Sequence, residues 1–115
     1  MSYKELIVWQ KAMDLSEEIY RLSKSFPKEE IYALTSQIRR AVVSVPSNIA
    51  EGNARASSAD YRHFLSIAKG SLVEVETQIL IAIRLKYILL KETQSAMKLI
   101  DEIGRMLTAL RKKLE

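Results

Sequence analysis

Ile31-Tyr32-Ala33-Leu34-Thr35-Ser36-Gln37-Ile38-Arg39-Arg40-Ala41-Val42-Val43-Ser44-Val45-Pro46-Ser47-Asn48-Ile49 is the stretch whose reading decides the fold. Its apolar residues Ile31, Leu34, Ile38, Val42, Val45 and Ile49 recur at steps of three and four, which places them on one face of an α-helix. The stripe passes Pro46 without losing phase. That predicts one long helix kinked at the proline, with the freed carbonyl of Val42 needing another donor. A break at Pro46 is the alternative, although a break normally brings turn residues with it. Pro27 suits the first helical turn, where its missing N–H has no partner to lose, and Glu29 and Glu30 then lie near the positive end of the helix dipole. The helix is therefore predicted to begin there.

The same period continues on both sides. Upstream, Val8, Ala12, Leu15, Ile19, Leu22 and Phe26 form a stripe over residues 3–25, and Leu6, Trp9, Met13, Ser16 and Tyr20 form a second one beside it, so this helix should touch two neighbours. Downstream, Ser57 with Asp60 three residues later reads as a capping box in its weaker Asp form, after a connection over residues 52–56. Tyr61, Leu65, Ala68, Leu72, Val75, Ile79 and Ala82 then carry a long third helix to about Leu90. A fourth helix, from about Thr93 to Lys113, faces inward with Ala96, Ile100, Ile103, Leu107, Leu110 and Leu114, and its last turn is basic, as the dipole prefers. Short connections between amphipathic helices imply antiparallel neighbours. The expected fold is all-α, an antiparallel up-down-up-down four-helix bundle over residues 1–115 as a single domain.

Composition agrees with a packed domain. The 115 residues are 48% hydrophobic and 28% charged, with three Gly, two Pro and no Cys. This is too apolar for disorder, and the absence of Cys excludes disulfides, thiolate metal sites and a thiol nucleophile. The apolar patch before Gln10 is only four residues long, too short for a signal-peptide core, so a cytoplasmic protein is expected.

Chemistry has few candidates. His63 is the single histidine, and Asp60 and His63 share a helical face, but one Asp-x-x-His copy cannot hold a metal pair, and Asp60 is better placed as a helix-start residue. A Ser-His relay from His63 to Ser58, Ser66 or Ser71 lacks a strained elbow and an oxyanion loop. Glu74 and Glu76 point in different directions, and the three glycines form no phosphate loop. No catalytic residue, metal ligand or cofactor is therefore predicted.

Surfaces are more informative. Gln37, Ala41, Ser44, Asn48, Glu51 and Arg55 form a polar stripe beside the apolar one, and Ser71, Glu74 and Gln78 are its counterpart on the third helix. A hairpin turning near Ala56 brings Arg40 and Ala41 level with Ser71 and Glu74, which predicts an Arg40–Glu74 ion pair. Arg40, Ser44, Asn48, Glu51, Ser71 and Glu74 would then form a seam that sets helix register. A solvated face is the competing reading. The run over residues 79–90 is apolar on almost every side, and its Arg84 and Lys86 make it too charged, as its length makes it too short, for a membrane span. Association of copies through Leu80, Ile81, Ile83, Tyr87 and Ile88 is the expected cover; a thicker internal core is the alternative.

The formal net charge is +4, and the segment from Arg39 to Lys69 holds five basic residues against two acidic ones. Arg39, Arg55, Arg62, Lys69, Arg111, Lys112 and Lys113 are the candidates for meeting the phosphates of RNA or DNA, and oligomerisation would multiply their field. A plain solvated surface is the competing reading for any one cluster.

Two longer motifs carry a resemblance. Residues 37–52, Gln37-Ile38-Arg39-Arg40-Ala41-Val42-Val43-Ser44-Val45-Pro46-Ser47-Asn48-Ile49-Ala50-Glu51-Gly52, precede Phe64-Leu65-Ser66-Ile67-Ala68-Lys69-Gly70-Ser71-Leu72-Val73-Glu74-Val75-Glu76-Thr77. Together with Leu6-Ile7-Val8-Trp9-Gln10-Lys11-Ala12 and Phe26-Pro27, they make residues 3–90 resemble the four-helix-bundle family of bacterial 23S rRNA intervening-sequence proteins. The resemblance implies a small all-α bundle that assembles as a homopentamer, with no known catalytic activity. By fold it is also similar to the accessory protein of diversity-generating retroelements, a basic pentameric bundle that binds nucleic acid and reverse transcriptase. The expected function is a non-enzymatic homo-oligomer with a nucleic-acid-binding surface. A protein-interaction scaffold docking through the polar residues near Pro46 is the alternative.

Overall fold

A computed structural model of the chain describes residues 2–115. Among these residues there are four α-helices and no strand: α1 (Ile7–Ser23), α2 (Leu34–Asn53), α3 (Ser58–Arg84) and α4 (Gln94–Lys113). Short 3-10 segments cover Tyr3–Glu5, Lys28–Glu30 and Leu90–Thr93. Each long helix buries most of the stripe its spacing predicts, with Tyr61, Leu110 and Leu114 only partly buried and Met13 and Tyr20 of the second α1 stripe exposed. Val8, Ala12, Leu15, Ile19 and Leu22 from α1 meet Leu34, Ile38, Val42, Val45 and Ile49 from α2 in one core. The same core takes Leu65, Ala68, Leu72, Val75, Ile79 and Ala82 from α3 and Ala96, Ile100, Ile103 and Leu107 from α4. Helix α1 packs on α2 and α4, and α3 packs on the same two, so every helix has two neighbours. No helix is long and apolar enough to cross a membrane among the described residues.

Pro46 lies inside α2, which continues to Asn53, so the chain does not break there. The Ser16 hydroxyl of α1 approaches the carbonyl freed by the proline, Val42 O, at 3.4 Å, while lying 3.0 Å from Ala12 O in its own helix. With one proton to give, that hydroxyl serves both acceptors only by sharing. At the start of α3, Ser57 Oγ accepts from the Asp60 N–H at 3.1 Å, the predicted cap.

Four boundaries differ from expectation. Helix α1 begins at Ile7, after a 3-10 turn over Tyr3–Glu5, and not at residue 3. Helix α2 begins at Leu34 and not at Pro27, because the chain first makes a 3-10 turn and Ala33 adopts φ −124°, ψ −107° outside the helical region. Ile31 is consequently 55% exposed and not part of the core stripe. Helix α3 ends at Arg84, six residues before Leu90. Lys86 takes a positive φ of 64°, and the N–H groups of Lys86 and Tyr87 donate to Ile83 O and Ala82 O, which is the Schellman closure. Tyr87 and Ile88 therefore leave the helix and fold back. Ile88 is buried in the core, and Tyr87 packs against it, its ring 5.8 Å from that of Phe26. The reading of these two residues as an association surface is corrected accordingly, and Ile83 is also partly buried against the core. Gly52 is not part of a connection either: it is a buried residue of α2's last turn.

Candidate nucleic-acid interface

The start of α3 and the end of α4 lie side by side. The Arg62 guanidinium donates to Leu114 O, and Lys69 Nζ donates to Thr108 Oγ1 at 2.6 Å, so two long basic side chains of α3 reach across to α4. Lys69 and Lys112 line one groove of about 550 Å³ between the helices, together with Arg105, whose Nε pairs with Asp101 at 3.3 Å. Lys113 is exposed beside them, and Arg111 is half-buried. Arg55 sits at the same end in the α2–α3 turn, its guanidinium 4.8 Å over the Phe64 ring and ion-paired to Glu51 at 2.7 Å. Six of the seven predicted basic residues are thus brought to one end of the bundle.

Charge is concentrated there. Residues 55–69 and 105–115 hold seven basic side chains against two acidic ones, whereas the remainder holds eleven basic against twelve acidic. Glu51 and Asp101, paired with Arg55 and Arg105, stand at the same end and bring it to seven basic against four acidic, so most of the chain's positive surplus sits here. Arg105 is a member that sequence reasoning missed; its place beside α3 depends on helix packing and leaves no local trace.

Arg39 stands apart. Its Nε donates to Ser23 Oγ at 2.9 Å, its terminal nitrogen lies 3.4 Å from Tyr20 O, and its guanidinium rests 4.7 Å from the Tyr20 ring centroid. It belongs to the α1–α2 face.

The polar seam is real at its centre and solvated at its edges. Ser71 Oγ donates to Ser44 Oγ at 2.8 Å, and Asn48 Nδ2 donates to Ser44 O and Oγ at 2.8 and 2.9 Å. Arg40 and Glu74 rim the same small groove, yet no ion pair joins them among the described residues, which corrects the predicted bridge. The register explains it: Ser71 meets Ser44, three residues beyond Ala41, and Arg40, Glu51 and Glu74 are left exposed to water. His63 is exposed, its ring edge-on to Phe64, and the Ser66 hydroxyl donates to Arg62 O.

A family model described as 23S rRNA-intervening sequence protein matches residues 4–109. The chain belongs to this family. A solved structure from Bacteroides thetaiotaomicron VPI-5482, a protein of unknown function from the S23 ribosomal protein family, is similar at 27% identity with a TM-score of 0.84. The likeness covers 92% of this chain and 99% of that one. No curated protein matches. In this member of the 23S rRNA-intervening sequence family, the matched region takes in Arg55, Arg62, Lys69, Arg105 and the Lys69–Thr108 contact, and ends before Arg111, Lys112 and Lys113.

Proposed function

We propose that this protein is a non-enzymatic, homo-oligomeric helical bundle of the cytoplasm that binds RNA or DNA electrostatically through the end formed by α3 and α4. The pentamer implied by the family resemblance is the assembly we assign to it. The observation that carries the reading is the clustering of seven basic side chains in residues 55–69 and 105–115, which leaves most of the positive surplus at one end even with Glu51 and Asp101 counted. A surface that neutralises phosphates gains affinity by releasing counterions and needs no base-reading element. Copies arranged around an axis repeat that surface and strengthen its field.

Association is assigned to the apolar residues that the fold leaves uncovered near the end of α3. Leu80 is 48% exposed, Ile81 41% and Leu85 51%, and Leu89 and Leu90 extend the patch into the following connection. Exposed apolar patches of this kind favour interfaces.

Fluorescence anisotropy with labelled duplex DNA and structured RNA tests the reading. Saturable binding should weaken steeply between low and physiological salt, and the triple variant Arg62→Glu, Lys112→Glu, Lys113→Glu should lose it. Wild-type protein that binds neither probe at low salt overturns it. The alternative, a scaffold for another protein chain, draws support from a groove of about 360 Å³ beside Pro46, lined by Tyr3, Trp9, Met13, Val43 and Ser47. Nuclease-resistant capture of a protein partner would favour it.

A further inference from the structure

The groove between α1 and α2 has a composition unlike that of the basic end. It measures about 530 Å³ and is lined chiefly by Tyr20, Ile31, Tyr32, Arg39, Arg40 and Val43, with no acidic residue among its described lining. Both cations are available from it. Arg40 is exposed and has no carboxylate in ion-pair range among the described residues, while Arg39 is held 4.7 Å from the Tyr20 ring centroid by its bonds to Ser23 Oγ and Tyr20 O. Tyr32 sits on the turn before α2 and is 94% exposed, an aromatic ring with nearly all its surface offered to solvent. Ile31 and Val43 add apolar surface at 55% and 43% exposure.

Such a site asks for a ligand that is anionic and planar at once. We propose that this groove holds an unpaired segment of nucleic acid, with a base stacked on Tyr32 and phosphates met by Arg40 and Arg39. Stacking on a free ring requires bases that are not already paired, and it tolerates any sequence because every base has a π-face. The α3–α4 groove differs: Glu76 and Asp101 line it beside its cations, and it contains no aromatic side chain. The inference rests on the proposed nucleic-acid role and extends it, giving unpaired strands a site separate from the basic end.

Anisotropy with a short fluorescein-labelled single-stranded RNA, run in parallel with duplex DNA, separates the two sites. Tyr32→Ala should weaken single-strand binding by about tenfold, the equivalent of one stacked base, and leave duplex binding unchanged. Arg40→Glu should also weaken single-strand binding. Both side chains are exposed, and an unaltered melting curve for each variant excludes loss of fold as the cause. Wild-type single-strand affinity in both variants overturns the groove assignment while leaving the basic-end reading intact if duplex still binds. Single-strand binding that depends on Tyr32 in a protein indifferent to duplex supports the groove and removes the basic end. A polyglutamate chain that competes with the RNA and loses affinity equally in Tyr32→Ala reassigns the groove to an acidic protein partner. A change of oligomer mass in Tyr32→Ala, read by light scattering, reassigns it to a subunit contact; either outcome overturns the proposal.

Discussion

Two residues show how much hangs on single atoms. A Cβ placed on Gly52 would lie 2.9 Å from both Phe64 Cβ and Tyr61 Cδ1 and 3.3 Å from Tyr61 O, so glycine is what lets α2 and α3 close together at their turn. Gly52→Ala should cost about 1–3 kcal/mol through overpacking, seen as a lower urea midpoint at constant m-value. In sequence this glycine reads as a helix breaker, because the crowding that requires it comes from another helix. Tyr87 is the second case. Its hydroxyl donates to Glu30 Oε2 at 2.7 Å, while Glu30 Oε1 accepts the Leu34 N–H at 3.2 Å, so one carboxylate caps α2 and anchors the connection after α3. The hydrogen bond to Glu30, then burial and the negative charges of Glu30 and Glu29, raise the Tyr87 pKa above the usual phenol value. A folded pKa above the unfolded one means the contribution is complete below about pH 10 and is lost as pH rises through the raised value. Tyr87→Phe should therefore be less stable than wild type at neutral pH, and the gap should narrow on alkaline titration of the urea midpoint.

At the scale of elements, period and propensity were legible and endings were not. The stripes of α1, α3 and α4 point inward as their spacing demands, because three-and-four spacing is a local geometric fact. The end of α3 carries no local signal, since its left-handed residue is Lys86, where glycine is the usual mark. A non-glycine residue there carries a steric penalty of roughly 1–2 kcal/mol. Lys86→Gly should recover part of it, offset by the greater freedom of glycine in the unfolded chain, and raise the melting temperature by a few degrees. A fall in melting temperature would show that the Lys86 side chain contributes more than its backbone costs. Helix α2 starts later than its signals suggest, because Pro27, Glu29 and Glu30 form a helix-start signal that serves only a single 3-10 turn.

For the whole molecule, the decisive property is where charge and uncovered apolar surface end up. If Leu80 and Ile81 lie between copies, Leu80→Glu with Ile81→Glu should reduce the particle mass in light scattering to that of one chain and flatten the salt dependence of nucleic-acid binding, since the repeated field is lost. Unchanged mass would place the subunit contact elsewhere. The apolar run over residues 79–90 announces a surplus, and only the fold divides it: Ile79, Ala82 and Ile88 go inside, while Leu80, Ile81 and Leu85 stay out. By itself the sequence determined the helices and the face each one buries, because both follow from residue spacing within one segment. Tertiary structure alone decided that Lys69 would meet Thr108, that Arg39 would leave the other cations for Tyr20, and that Tyr87 and Ile88 would turn inward. Those outcomes depend on which helices become neighbours and at what register, and side-chain reach across a packed interface leaves no mark in local spacing.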